Sequence, residues 1–468
     1  MSDALSLPIS ELALRLRAGK LTARALVEEA IANHARCGDG LLAYSQWAPD
    51  HARKCADAAD AAFAAGACAG PLQGIPISLK DLFAVAGFPT HAGSPKRLPA
   101  KFDIEGPVVA SLRRQLATLM GKTHMVEFAF GGTGHNSHYG APRNPWDAGA
   151  HRSPGGSSSG AGVSLAEGSA LLALGSDTAA SVRLPAAMTG NAGLKFTKGR
   201  WSCDGIVPLS HTFDTPGILA RCMADAAFGF AAIDPHLGDS FGFMRRVPAS
   251  VAGLRVGIAD AAFWDDCENG IDDVVRRAID RLARAGAVVV DAPLPEAREA
   301  VAVFGEGGVS AIELRAFLDG ELPEWLSTID PVNAPALKNA EKLTAREYLA
   351  RLRRLADAAK AAAARFDGVD VIATPTVRLS PHVLAEETTP DKFWARNRGT
   401  VHNLVPVNFL GLCAATLPVG LDRLGLPVGL QLIAKAGDDE RMVAIACAAE
   451  RLLGTPREIL GDPPMCRR

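Results

Sequence analysis

Residues 153–187 read SPGGSSSGAGVSLAEGSALLALGSDTAASVRLPAA. Two small-residue loops, 155–160 and 175–181, each run into a segment fit for a helix, 161–166 and 182–187. Between them Leu171, Leu172, Ala173 and Leu174 form an apolar run of strand length. A strand that feeds a helix through a glycine and serine loop is the unit of an α/β fold, and the rest of the chain is read outward from it.

Upstream, Ile75-Pro76-Ile77-Ser78-Leu79 reads as a strand with Lys80 at its end, and residues 10 to about 65 read as a helical lead-in. There Ser10 is placed to cap a helix that Gly19 ends, and Thr22 opens a second one. Downstream, strand and helix alternate. Residues 254–258 read as a strand, Ile271, Val274, Val275, Ala278, Ile279 and Leu282 recur at helical spacing, and residues 287–290 follow Gly286 as another strand. Thr344 and Glu347 form a capping-box pattern ahead of a long charged helix, a solvated cover element, and residues 369–373 read as a buried strand. Near the end, residues 415–419 and 427–433 flank Asp422-Arg423-Leu424-Gly425 as a hairpin, and Asp438 precedes an amphipathic helix that Gly454 ends. No long linker or repeat interrupts this alternation. The expectation is one domain over 1–468: lead-in 1–65, a chemistry-bearing region 71–220, a variable substrate-side region 221–405, and a hairpin and helix over 406–468.

The chain has 468 residues, 48% hydrophobic and 21% charged, so it can bury a large core without disulfide or metal support. Its formal net charge is −2, from 49 basic and 51 acidic residues, with no dense basic stripe. Nucleic acid is therefore not expected as a direct partner. The nine cysteines are odd in number and scattered, which argues against a disulfide framework or structural zinc and for a reducing compartment. The first residues lack a basic, then apolar, leader pattern, and no run of about 18 apolar residues occurs. A cytoplasmic protein with no membrane contact is expected.

Each candidate residue also has an ordinary reading. A lysine at a strand end usually reaches water. To act as a base, Lys80 has to lose its proton near neutral pH, which burial beside hydroxyls achieves by disfavouring the ammonium. Residues 155–160 also suit a tight loop into a packed helix, and they lack the Lys-Ser/Thr of a phosphate loop, since Ala161-Gly162 follow. Gly156-Ser157-Ser158-Ser159-Gly160 formally matches a nucleophile elbow centred on Ser158. That reading needs a preceding strand, whereas His151-Arg152-Ser153-Pro154 is polar and Pro-broken, and its partner histidines would come from His211, His236, His382 or His402. In the second loop, backbone N–H groups of Thr178, Ala179, Ala180 and Ser181 can converge on one point, as a tetrahedral oxyanion requires; a helix cap fits the segment equally well. His135 and His138 form an H-x-x-H pair without a third ligand at metal-site spacing, so turn or surface histidines are expected and no metal is assigned.

Taken together, these segments resemble the amidase signature family. The 24-residue spacing of Ser157 and Ser181, with Lys80 upstream in Gly74-Ile75-Pro76-Ile77-Ser78-Leu79-Lys80-Asp81, follows the family layout. Pro89-Thr90-His91-Ala92-Gly93-Ser94, Glu127-Phe128-Ala129, Asn144-Pro145-Trp146, Gly193-Leu194-Lys195 and Gly425-Leu426-Pro427-Val428-Gly429-Leu430-Gln431 extend the likeness in family order. The resemblance implies a single α/β domain, a twisted mixed sheet covered by helices, that hydrolyses a small-molecule amide through an acyl-enzyme without a cofactor. It implies Ser181 as nucleophile, Ser157 as a bridging serine on a cis peptide, Lys80 as the base, Thr178, Ala179, Ala180 and Ser181 as oxyanion donors, and Asp177 and Arg183 as supports. The partner it implies is a small amide; a homodimer is one candidate assembly, and the oligomeric state is not readable from the sequence.

The chain departs from the family pattern at Ala179-Ala180, where a glycine is usual, and at Ser159 and Phe196. If the two alanines occupy positive-φ positions, each costs on the order of 1 kcal/mol. Residues 205–215 look more like stand-alone bacterial amidases, such as indoleacetamide and mandelamide hydrolases, than like the glutaminase component of tRNA-dependent amidotransferases, the second reading. A non-catalytic binding protein is the third. Phe128, Phe130, Phe304 and Trp394 are candidates for an apolar substrate wall.

Overall fold

Strands buried on both faces need a helical layer on each side, and the central strands of this chain are of that kind. The structure is a computed structural model that describes residues 4–37 and 40–467. Among these, eleven strands form one sheet: β1 (Tyr44–Trp47), β2 (Pro76–Lys80), β3 (Thr118–Thr123), β4 (Leu172–Asp177), β5 (Ala192–Lys195), β6 (Thr215–Ala220), β7 (Arg255–Ile258), β8 (Val288–Asp291), β9 (Val371–Pro375), β10 (Cys413–Leu421) and β11 (Pro427–Ala434). Their order is β1-β3-β2-β4-β6-β5-β10-β11-β9-β7-β8. β2 runs parallel to β3 and β4, the block from β4 through β9 pairs antiparallel, and β9, β7 and β8 are parallel again. This is a single-domain α/β fold with a large mixed sheet, as expected. Every residue of β2, β4, β6, β9 and β11 is buried, so neither face of these strands meets water.

The helix Ser159–Ala166 is buried at all but its last residue, and it packs against β2 and β4. Small side chains let it come this close. A Cβ on Gly160 would lie 2.0 Å from the Ala43 carbonyl oxygen, and one on Gly175 would lie 2.7 Å from Ser158 Oγ. The helix Ile271–Arg284 is amphipathic instead, with Ile271, Val274, Val275, Ala278, Ile279 and Leu282 buried as the spacing predicts.

Several local expectations hold. Thr22 Oγ1 accepts from the Ala25 N–H at 3.1 Å to open the helix Ala23–Cys37. Thr344 and Glu347 form a capping box ahead of Ala345–Ala363. β10 and β11 form the hairpin, with Asp422 Oδ1 accepting from the N–H groups of Leu424 and Leu426. Others differ. Ser10 lies inside the helix Ile9–Arg17, not at its cap: Pro8 stands there, and the Ile9 N–H donates to Asp225 Oδ1 at 2.7 Å. A distant carboxylate thus does the capping that a local serine was expected to do. The strand before the second loop runs on through Asp177, because β6 pairs with it as far as Asp177 opposite Thr215. Among the described residues no helix is long and apolar enough to cross a membrane.

Candidate active site

β2 carries Lys80 into the interior rather than to water: its side chain is 0% exposed. Its Nζ donates to Ser157 Oγ at 2.7 Å and to Ser176 Oγ at 2.9 Å. Burial disfavours the ammonium and brings the lysine down to about 7, against the opposing pull of Asp214 and Asp177. Two hydroxyls solvate the amine, and among the described residues no carboxylate within ion-pair distance holds its proton. Ser176, the second of these hydroxyls, sits on β4 and carried no signal in the sequence.

Ser157 is fully buried, and the Gly156–Ser157 peptide is cis. Its carbonyl accepts from the Val126 N–H at 3.1 Å, which fixes the loop against the segment after β3. Ser158, centre of the formal elbow, points elsewhere. Its Oγ packs over Gly175 and donates to the Ser176 carbonyl at 3.5 Å, and none of His211, His236, His382 or His402 hydrogen-bonds to it. The elbow reading fails because the loop leads from a polar turn and presses Ser158 onto β4.

Ser181 lies just before the helix Arg183–Met188 and lines a narrow cleft. The hydrogen bonds of the described residues link it directly to neither Ser157 nor Lys80. Thr178, Ala179 and Ala180 line the same cleft, and the backbone N–H groups of residues 178–181 donate to no protein acceptor among the described residues. The side-chain cap of this segment is directed onward. Asp177 Oδ2 accepts from the Val182 N–H at 3.1 Å and the Arg183 N–H at 3.3 Å. Neither Ala179 nor Ala180 has a positive φ, so the alanines stand without the backbone penalty that the departure from glycine raised. Ser159 opens its helix, and Phe196 stacks on Phe230 in the core, away from the cleft.

Asp177 and Arg183 form a buried pair. Arg183 Nε and one terminal nitrogen reach the two carboxylate oxygens of Asp177, both at 3.1 Å. The guanidinium also donates to Gln431 Oε1 at 2.7 Å and Asn408 Oδ1 at 2.5 Å, while Asn408 Nδ2 donates to the Asp177 carbonyl at 2.9 Å. Burial pushes the Asp177 carboxyl up, but the Arg183 charge and its hydrogen bonds outweigh it and hold the group below its ordinary value. On the other side, Thr178 Oγ1 donates to Asp214 Oδ1 at 2.5 Å, and Asp214 Oδ2 takes the N–H groups of Leu209 and Ser210. Sequence reasoning missed Asp214 as a support, since Thr178, its partner in the second loop, is remote in the chain.

Phe130, Phe304 and Trp394 line the cleft as expected, with the rings of Phe130 and Trp394 5.2 Å apart. Phe128 does not: it is 2% exposed and belongs to the core. Phe128 and Ala129 both hold positive φ, 46° and 59°, a conformation that turns Ala129 and Phe130 into the cleft wall. Ser310, Asn397, Leu209 and Val401, with Gly131 and Gly132, complete the lining, so its polar side chains are uncharged. His138 lies in a turn and His135 just before it, both half-buried, as expected. His138 Nε2 lies 3.2 Å from Glu127 Oε1 and His135 Nε2 lies 3.8 Å from Asp330 Oδ2, while Glu127 Oε2 accepts the Asp330 N–H. Burial raises Glu127 to about 8. Among the described residues no group of three or more such side chains has the placement to hold a metal ion.

Comparison with known proteins shows the family of the chain. The amidase family model matches residues 25–443. The chain is 47% identical over 463 residues to a 2-amino-5-chloromuconic acid deaminase of Comamonas testosteroni, covering 99% of this chain and 100% of that one. It is 32% identical over 490 residues to a glutamyl-tRNA(Gln) amidotransferase subunit of Rhizobium meliloti (strain 1021), covering 97% and 98%. Among solved structures it superposes on the peptide amidase of Stenotrophomonas maltophilia with a TM-score of 0.79 at 26% identity, over 97% of this chain and 98% of that one. The match spans the lysine, both serine loops and the C-terminal hairpin alike: the chain belongs to the amidase family and is an amide-hydrolysing enzyme.

Proposed function

We propose that Ser181 is the nucleophile, Ser157 the relay and Lys80 the base of an acyl-enzyme mechanism. The observation that carries the reading is the buried contact of 2.7 Å between Lys80 Nζ and Ser157 Oγ. As Ser181 Oγ attacks the substrate carbonyl carbon, its proton passes to Ser157 and the proton of Ser157 passes to neutral Lys80. The carbonyl oxygen gains the negative charge and meets the unpaired N–H groups of Thr178, Ala179, Ala180 and Ser181. The relay then runs in reverse and protonates the departing nitrogen as the C–N bond breaks. Water repeats the attack on the acyl ester, and Ser181 leaves with its proton restored. Asp177 and Arg183 act as positioning residues that hold the loop, and residues 221–405 supply much of the outer cleft wall. The setting is cytoplasmic, which the nine unpaired thiols support.

The substrate is a small molecule that releases ammonia, in keeping with the name of the relative from Comamonas testosteroni. The glutaminase reading is less favoured by the cleft. Glutamine brings an α-ammonium that needs a carboxylate partner, whereas the lining offers donors and aromatic faces but no acidic side chain. The test is ammonia release by the purified chain alone from a panel of primary amides, with and without Ser181→Ala. Release that depends on Ser181 supports the reading. Activity that appears only when partner proteins and glutamine are added sinks it.

A further inference from the structure

We propose that the substrate cleft contains a carboxylate subsite, formed by Ser310 with the first turn of its helix and by the side-chain amide of Asn397. This rests on the hydrolase reading above and names its substrate class.

The helix Ser310–Glu321 has 12 residues and begins at the cleft, where Ser310 is a lining residue. The Ile312 and Glu313 N–H groups both turn back to the Val309 carbonyl, while those of Ser310 and Ala311 donate to no protein acceptor among the described residues. A helix start with free N–H groups carries partial positive charge and favours an anion. Gly307 and Gly308, with φ of 97° and 65°, bring the chain into this turn, and Arg351 binds the Gly308 carbonyl, which removes a competing acceptor. Glu313, one turn on, is the charge that opposes an anion here. Its oxygens already take the hydroxyls of Ser210, Thr212 and Tyr348 and the Thr212 N–H.

Asn397 is independent of that helix. It is 2% exposed and lines the same cleft, and its Oδ1 accepts the Gly132 N–H at 2.6 Å. With the oxygen fixed, Nδ2 is the end left over, and it donates to no protein atom among the described residues. A buried amide donor, a free helix start and a hydroxyl therefore open into one cleft whose other walls are Phe130, Phe304 and Trp394. Donors without an acidic side chain select a carboxylate over an ammonium, and the aromatic walls select a flat, conjugated spacer between that carboxylate and the carbon attacked by Ser181. The class is a half-amide of a conjugated dicarboxylic acid.

The experiment compares two amides of one shape, the monoamide of trans,trans-muconic acid and sorbamide, which carries a methyl group where the first has a carboxylate. Wild type is expected to favour the acid in kcat/KM by on the order of 10-fold or more, mostly through KM. Ser310→Asp places a like charge at the helix start and should erase the preference, whereas Ser310→Ala keeps the N–H groups and should retain most of it. Protection of Ser181 from a fluorophosphonate by trans,trans-muconate, strong in wild type and lost in Ser310→Asp, gives a readout independent of turnover. Hydrolysis of sorbamide as fast as the acid, or a ratio and protection untouched by Ser310→Asp, would overturn the subsite and leave amide hydrolysis standing. Hydrolysis of neither amide together with no protection would overturn both readings.

Discussion

Lys80 and Ser157 meet inside the protein: Nζ and Oγ are 2.7 Å apart and both side chains are 0% exposed. A charged amine in that position has only hydroxyl partners, so the contact is suited to a neutral amine that accepts a proton. Most of what can be tested follows from it.

Lys80→Ala and Lys80→Met remove the proton acceptor without touching Ser181. Amide turnover is expected to fall by roughly 10²–10⁴-fold with the fold retained. Steady-state ammonia release and far-ultraviolet circular dichroism check this; turnover within about threefold of wild type would take Lys80 out of the mechanism.

The pH dependence follows from the lysine's value of about 7. Activity should rise through that pH and level off above it, because only the neutral amine accepts a proton. Stability carries the same sign. Between about 7 and the ordinary 10.5 the unfolded chain holds a proton that the folded chain lacks, so this group makes stability rise with pH across that window and adds no slope below it. Urea denaturation at pH 7 and pH 9 should show wild type gaining more than Lys80→Met over this interval, by on the order of 2 kcal/mol.

Arg183→Ala leaves the Asp177 carboxylate buried with its main countercharge gone, and frees Gln431 and Asn408 as well. Breaking a buried pair from one side costs about 3–5 kcal/mol. Denaturant midpoints should show a loss of that size, and Asp177→Asn, which keeps a carbonyl acceptor, should lose less.

Ala180→Gly tests whether the oxyanion loop suffers from its alanines. Since Ala180 has no positive φ, glycine brings no relief there. The substitution should leave kcat within a few-fold and lower stability by about 0.5–1 kcal/mol through added freedom in the unfolded chain. A tenfold or larger gain in kcat would show that the methyl group obstructs the pocket.

The sequence made β2, β4, β7, β8, β9, β10 and β11 legible because each rests on local pattern, while the proposed trio was read from its likeness to the family layout. The apolar runs of β4 and β11, the Thr344 and Glu347 capping box and the hairpin around Gly425 are all set by near neighbours. What escaped was set at a distance. Ser10 lost its capping role to Asp225, more than two hundred residues on. Phe128 looked like a wall residue until the left-handed turn at Phe128 and Ala129 sent its ring inward and the next one outward. Ser176 and Asp214 gave no signal, since a buried serine beside a lysine, or an aspartate beneath a loop, is defined by strands that meet only in the folded sheet. Ser310 and Asn397 come from the region 221–405, which carries no motif, and only their shared cleft relates them to Ser181.

The most direct test of the relay is to treat the protein with a fluorophosphonate and locate the adduct by peptide mass spectrometry, in wild type and in Lys80→Met. The account predicts one phosphonylated residue, Ser181, labelled far more slowly when Lys80 is replaced. An adduct on Ser158, or a folded protein that takes no label at Ser181, would contradict it.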